Sequence, residues 1–417
     1  TAGHMTVAIG VDAMANVTGS AGQNVAVGYE AMKASTGSLN CVAIGIQAGA
    51  AWGTRYNNCV VGNSAASLAT GGDITMFGSE SGKSSTASTL TGLGAQTLYR
   101  ATGSYHTAVG YRAGQNITSG TDMTFIGHEA GQGVYGTYIT GTGNVAVGKK
   151  ALQNLSSGSH NIALGVDALN DQLGGSNSIA IGGYALDEST TGNSNIGIGY
   201  QALTELSTGY NNVAVGHNAG YNIKDGTGNT ALGHQAYYNN GGTNNVAIGY
   251  QALYGAGETT STGSYNVAIG YKALYDHTTG AGNIAMGWGA AENLTSGGEG
   301  VFLGRLAGYA VTTSNHNVMI GMSAGRAVTN MSNNTIIGSY AGDAITGQGN
   351  TIVGAFAATS TSGSSAERNT IIGNYAAGAL TTGDKNIIIG DYSGKNITTG
   401  TGNVVIGGDM EVDTPTG

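Results

Sequence analysis

Charged residues are scarce in this sequence: Asp, Glu, Lys and Arg make up 9% of 417 residues, with a formal net charge of -9. The 14 Lys and Arg are scattered without a basic stripe, which argues against a nucleic-acid-binding surface. Long apolar runs are missing too. None approaches the roughly 18 residues of a membrane helix, and no signal peptide or lipidation motif can be read, so the chain as given is expected neither to insert into a membrane nor to carry its own export address. Proline occurs once, at Pro415, and cysteine twice, at Cys41 and Cys59. Cysteine usage this sparse does not identify a compartment.

What is abundant is glycine, with 76 residues, and its placement is periodic. One marker glycine recurs mostly every 16 or 17 residues from Gly10 through Gly148, Gly165 and Gly182 to Gly407, defining 24 rungs. The residue before each marker is always apolar, and the residue three before it is Val, Ile or Thr except at Cys59. Positions two apart share a strand face. The residue between them points the other way and is usually small, as at Ala26, Ala146, Ala214 and Ala268. The pattern predicts one short, β-branched strand per rung, packed on both sides. Its marker glycine falls where the chain turns sharply or passes close to other backbone. A composition this polar and glycine-rich suggests disorder by itself, but rungs that bury little alone bury much when stacked. The fold class expected is an all-β parallel β-solenoid, or β-roll. The whole of 1–417 would be one elongated repeat domain, and at about 4.8 Å per rung its 24 rungs would form a rod on the order of 110 Å long.

Past the marker, Ala recurs at the third position in 20 rungs. An apolar residue often follows at the seventh, as at Ile117, Leu155, Leu206 and Leu294. These positions close the back of the rung. The segment is read as a second strand, with a helical turn as the alternative, because Ala202, Leu203 and Leu206 also fit helical spacing. Between rungs the chain repeats turn residues such as Thr142-Gly143-Asn144 and Thr401-Gly402-Asn403. Asn stands four before the marker in 16 rungs, a column whose amides can bond up and down a stack. Cys41 and Cys59 lie four and three before their markers, on opposite faces, which disfavours a disulfide and leaves both as small packing residues. Thr1–Met5 reads either as an expression scar around Gly3-His4-Met5 or as the turn of a preceding rung.

Three departures from the period are candidate functional elements. Longer steps place insertions around Val134–Thr140, Tyr254–Thr262 and Ser360–Glu367, and insertions on a solenoid are often its binding elements, though neutral length drift explains them equally. Immediately after the marker, six consecutive rungs give Tyr200, His217, His234, Tyr250, Tyr271 and Trp288. If exposed, such an aromatic ladder suits the apolar faces of sugars or a cell-surface polymer; if buried, it is a stacking spine. His217 and His234 lack a third ligand column, so no metal site is expected. The position two before the marker changes from Ala or Gly, over Ala146–Ala285, to Phe302, Met319, Ile336 and their successors. This marks a transition near 287–304, through either a change in chain-to-chain packing or a repacked core. Soon after it, a further aromatic column runs through Tyr340, Phe356, Tyr375 and Tyr392.

Catalysis finds little support. Asp12 and Glu30 are the only acids two past the marker on adjacent rungs, near the separation of a retaining glycosidase pair, but no cleft is implied there. Solvation is the simpler account, and no nucleophile, phosphate-loop or repeat calcium motif is present. No cofactor is expected.

Asn177-Ser178-Ile179-Ala180-Ile181-Gly182 resembles the head repeat of trimeric autotransporter adhesins, and Asn245-Val246-Ala247-Ile248-Gly249-Tyr250-Gln251-Ala252-Leu253 is more similar to repeats of bacteriophage tail fibres. The closing stretch Asn403–Asp409 with Asp413-Thr414-Pro415 looks like the junction to a C-terminal chaperone domain in such fibres. The resemblance implies a homotrimeric, non-enzymatic shaft and host-attachment element on a virion, with a host cell-surface glycan or protein as partner. In such a trimer, the small residues two before each marker would approach an axis or a facing sheet. The alternatives are the head of a bacterial trimeric surface adhesin at the cell surface and a glycan-degrading tailspike.

Overall fold

The structure, a computed structural model, describes residues 5–17, 22–134, 136, 138–256, 261–359 and 364–409. It divides into two compact units, Thr1–Tyr210 and Asn211–Gly417. The first carries strands β1 (Val7–Ile9) to β12 (Ile196–Ile198) and the second β13 (Val213–Val215) to β24 (Val404–Ile406). No helix occurs among the described residues. Within each unit every strand pairs in parallel with its successor and without a register shift. Ile162 faces Ile179 in the first unit, and Val246 faces Val267 in the second even though the step between their markers is long. Each unit is therefore an all-β parallel solenoid, as the repeat predicts.

The marker glycines are required twice over. All 24 have φ between +127° and +146°, a region open essentially to glycine alone. Successive markers also stack backbone on backbone, so that a Cβ on Gly10 would lie 2.5 Å from the Gly28 carbonyl oxygen.

The back of the rung is neither the second strand expected from the spacing nor a helical turn. In the rung of Gly148 the amide of Ala151 donates to the Gly148 carbonyl, Gln153 to Lys150 and Leu155 to Leu152, at 3.2–3.4 Å. Lys150 and Leu152 have φ +59° and +52°. These are overlapping tight turns with a left-handed residue at the third position, the geometry of a type II turn. Leu203, at φ +56°, likewise cannot belong to a right-handed helix. The amides left over bond between rungs: Leu152 donates to Ala168 at 3.0 Å and Asn154 to Asn170 at 2.9 Å. Two left-handed residues per rung, each costing roughly 1–2 kcal/mol, are thus offset by bonds that exist only when rungs stack.

Side-chain directions show that within one chain the strand packs on one side only. The residue two before the marker points inward: Ala146, Ala163 and Ala180 are fully buried. Its flanking neighbours point outward, and Phe77, Leu93, Ile126, Val147, Leu164 and Ile181 are 36–41% exposed. The rung is narrow, so one inward strand side chain and the residues of the back fill it. Their volumes are complementary. Ala146 and Ala163 accompany buried Leu152 and Leu169, whereas Phe302, Met319, Ile336 and Ile388 accompany Gly308, Gly325, Gly342 and Gly394. A Cβ on Gly325 would sit 2.6 Å from the Met319 sulfur. The small-to-large switch at Phe302 is thus accommodated inside these rungs, where a glycine faces the larger side chain.

The asparagine column is a buried hydrogen-bond ladder. In the second unit Asn266 Nδ2 donates to the Gly280 carbonyl at 3.1 Å, and its Oδ1 accepts from the Asn283 amide at 2.9 Å. In the first unit the column is interrupted by buried Ile74, Leu90, His106 and Met123. Cys41 also takes a ladder position, its amide donating to Asn24 Oδ1 at 3.0 Å; Cys41 is buried, Cys59 half-buried, and both are free.

Two buried imidazoles make stability depend on pH. Burial pushes His106 and His277 down to about 4. Between pH 4 and 6.5 the unfolded chain therefore binds protons that the folded chain does not, so stability rises with pH through that window and is lost on acidification. His277 stands at the seventh position after Gly270, where other rungs carry Leu155, Leu206 or Leu294. Taking His277→Leu against the parent protein, the urea-derived stability difference should shift in favour of the variant by about 2–3 kcal/mol between pH 7 and pH 4.5. Asp187 titrates in the opposite sense, because burial and then the Asp167, Asp171 and Glu188 charges raise its carboxyl to about 7. It is common to both proteins and cancels. A pH-independent difference would show that the His277 proton is not linked to folding.

Candidate functional site

Position after the marker sets exposure. The residue immediately following it leaves the strand at the corner and points outward, and all six aromatic side chains at that position are exposed. Five of them form one stack in the second unit. Centroid distances run 5.1 Å from His217 to His234, 5.3 Å to Tyr250, 5.3 Å to Tyr271 and 5.7 Å to Trp288, with planes within 8°. The sixth, Tyr200, belongs to the first unit and meets Tyr184 edge-on at 5.9 Å and 81°.

The stack alters what this surface can offer. Interior ring faces lie against one another, so the column presents ring edges and polar tips: imidazole nitrogens, phenol hydroxyls and an indole N–H. Stacked imidazoles also carry their lone pairs in parallel planes and cannot converge on one ion. No group of three His, Cys, Asp or Glu side chains suited to a metal occurs among the described residues.

A second aromatic column, which the spacing argument missed, runs five past the marker through Tyr221, Tyr238, Tyr254 and Tyr275, stacked at 4.9–5.1 Å. Its signal was the same recurrence at a fixed offset. Between the two columns Gln251 donates to Gln235 at 2.9 Å. The Lys272 ammonium lies 5.8 Å from the Tyr271 ring and 4.6 Å from that of Tyr275. Burial, with the neighbouring phenols, raises the Tyr254 hydroxyl above its ordinary range, so it remains a neutral donor. At the Trp288 end the Arg305 guanidinium stands 5.4 Å from the indole. A cavity of about 390 Å³ opens there, lined by Trp288, Arg305, Leu306, Tyr309 and Arg326. The column beginning at Tyr340 stacks as well, at 4.9–5.3 Å through Phe356, Tyr375 and Tyr392.

Of the insertions, the first is anchored by Ile139, which bridges to Ile117, while 135 and 137 lie outside the described residues. In the second, Ser261 bridges to Asn240, and in the third, Ser364 bridges to Ile345; 257–260 and 360–363 lie outside the described residues. So do 1–4, and with them most of the Thr1–Met5 segment, as well as Asp413-Thr414-Pro415 of the closing motif. The acid pair shares a cation, with Lys33 Nζ 3.3 Å from Asp12 and 2.6 Å from Glu30. Its hydrogen bond lowers the Glu30 carboxyl, as does that of Gln47, the reverse of what a general acid requires. The chain matches no protein-family model and no curated protein sequence.

Proposed function

We propose that the chain is a shaft and host-surface adhesion element of a phage tail fibre or similar virion appendage, acting as a homotrimer and without catalysis. The observation that carries the reading is the exposed aromatic surface of the second unit, where two parallel stacks flank an amide and ammonium strip. Tips repeating at about 5 Å suit a polymer with regularly spaced hydroxyls, and a trimer would present the surface three times, converting weak contacts into avidity. The outward apolar stripe beside each marker supports self-association. No charged residue occupies either of its positions in any rung, and contiguous apolar surface of this kind marks interfaces. The facing surface in the trimer is accordingly this large, β-branched stripe, since the small residues two before the marker are committed to the interior. A bacterial surface adhesin would share the geometry and differ in carrying a membrane anchor in its full-length gene.

The test is binding of the purified protein to intact host cells. Replacing Tyr250, Tyr271 and Trp288 together by Ala should lower binding by at least tenfold, about 1.4 kcal/mol, with thermal unfolding unchanged. Undiminished adhesion by the folded variant would remove the assignment. Shortened chains after incubation with host polysaccharide would overturn its non-enzymatic part.

A further inference from the structure

The first unit holds a second surface of different chemistry. Five past the marker, where the second unit has tyrosines, Gln115, Gln132 and Gln153 form a side-chain ladder: Gln132 donates to Gln115 at 3.1 Å and Gln153 to Gln132 at 3.2 Å. Gln96 extends it, accepting from Gln115 at 3.2 Å and from Arg112 Nε at 2.9 Å. A groove of about 420 Å³ lies over this ladder, bounded by Tyr99, Arg100, Arg112, Asn116 and Val134. Val134 begins the first insertion, and Tyr138 of the same insertion accepts a hydrogen bond from Arg100 Nη1 at 3.3 Å.

Cations gather here in a chain that is otherwise acidic. Lys83 and Arg100 stand 5.9 and 5.8 Å from the Tyr99 ring, and Arg112 stands 4.8 Å from that of Tyr111. The nearby acids are engaged: Glu80 holds Lys83 at 2.7 Å and Gln96 at 2.9 Å, and Glu129 accepts from Gln153 at 3.0 Å. Arg112 is tied to the ladder through Nε and its Nη1 stands 3.9 Å from Glu129 Oε1, longer than a hydrogen bond, which leaves the guanidinium fork able to take a ligand carboxylate.

We propose that this groove binds an oligosaccharide bearing carboxylates, of the uronic-acid type. Gln115 and Gln132 each spend one donor and one acceptor on their neighbours in the ladder and keep one of each for sugar hydroxyls, whereas Gln153 uses both donors, on Gln132 and Glu129, and Gln96 accepts from both Gln115 and Arg112. The Arg100 and Arg112 guanidinium groups supply the charge selection. An extended acidic peptide is disfavoured, because the surrounding backbone amides already bond between rungs and the lining offers no apolar side-chain pockets. As part of host attachment the site rests on the adhesion reading; as a binding site it is tested separately.

The experiment is calorimetric titration of the full chain with tetragalacturonate, maltotetraose and poly-L-glutamate. Tetragalacturonate should bind saturably and less tightly as salt is raised, and maltotetraose should not bind. Arg100→Gln and Gln115→Ala, both at the surface, should each weaken tetragalacturonate at least tenfold with unchanged thermal unfolding. The Tyr250, Tyr271 and Trp288 triple variant should bind it normally. Absence of saturable binding, equal binding of poly-L-glutamate, or full affinity in both groove variants would overturn the groove assignment. In that case loss of cell adhesion by the triple variant would still uphold the aromatic surface, so the two readings fail separately.

Discussion

Gly270→Ala will disrupt the second unit by more than about 4 kcal/mol, a loss reserved for a few mechanisms. Two of them act together at this residue. Gly270 has φ +131°, where an L-residue is strained by about 1–3 kcal/mol, and the new Cβ would lie 2.5 Å from the Gly287 carbonyl oxygen. Neither side can yield, because the obstructing atom is backbone: the Gly287 carbonyl accepts from Ala290 in the turn at 3.4 Å, and the Gly287 amide donates to Ile269 at 2.8 Å. The rungs must separate, opening the pairing of Val267 with Ile284 and of Ile269 with Met286. Hydrogen exchange resolved by segment should show protection lost around 267–287 first, as nearest-neighbour coupling in a stacked repeat requires. Gly402→Asn is the control. Gly402 has φ +75° with open space around its Cα, and Asn177 already occupies the equivalent position at φ +60°, so that change should stay within about 0.5 kcal/mol. Equal tolerance of both substitutions would refute the close-approach argument.

If the chain assembles as the proposed trimer, Leu164→Glu with Ile181→Glu will convert it into monomers. Both side chains point outward, at 36% and 37% exposure, so the solenoid itself should unfold within a few degrees of the parent. In an assembled trimer the same two substitutions would place six carboxylates, two per chain, against an uncharged stripe, and an unpaired buried charge costs several kcal/mol. Sedimentation equilibrium at micromolar concentration reads the outcome. A parent protein that sediments as a monomer would remove the trimer, and a double variant that remains trimeric would place the interface elsewhere.

Strand positions and marker glycines were legible because each is fixed by a backbone requirement that few residues satisfy. The turns of the back were harder, since their signal is an exclusion. No Val, Ile or Thr stands two or four past any marker, as left-handed φ demands, yet the residues that do appear there, such as Gln201 and Leu203, individually suit a helix or a strand. The inward direction of the alanines was masked by their size. A small residue signals close approach, and spacing alone does not say whether the neighbour belongs to another chain or to the same rung, where Leu152 fills the space beside Ala146. For the candidate site, the alignment from Tyr200 to Trp288 could be read from the offset, while the coverage of each ring face depends on side-chain torsions. The tyrosine column at Tyr221 could have been found by the same test. The glutamine ladder could not be valued in advance, because its meaning comes from the insertion and the arginines that fold against it.

Unshifted register has a consequence for how such a gene can change. Each rung offers its upper neighbour the strand and turn groups that it accepts from its lower one, so the strand joint between Ile162 and Ile179 has the same form as that between Ile179 and Ile196. Removing or duplicating one whole repeat recreates a joint already in use. Recombination between similar stretches of coding sequence would therefore alter reach in whole-rung increments without demanding a new core, while a gain or loss of a few residues is absorbed in a loop, as the long step between Gly249 and Gly270 illustrates.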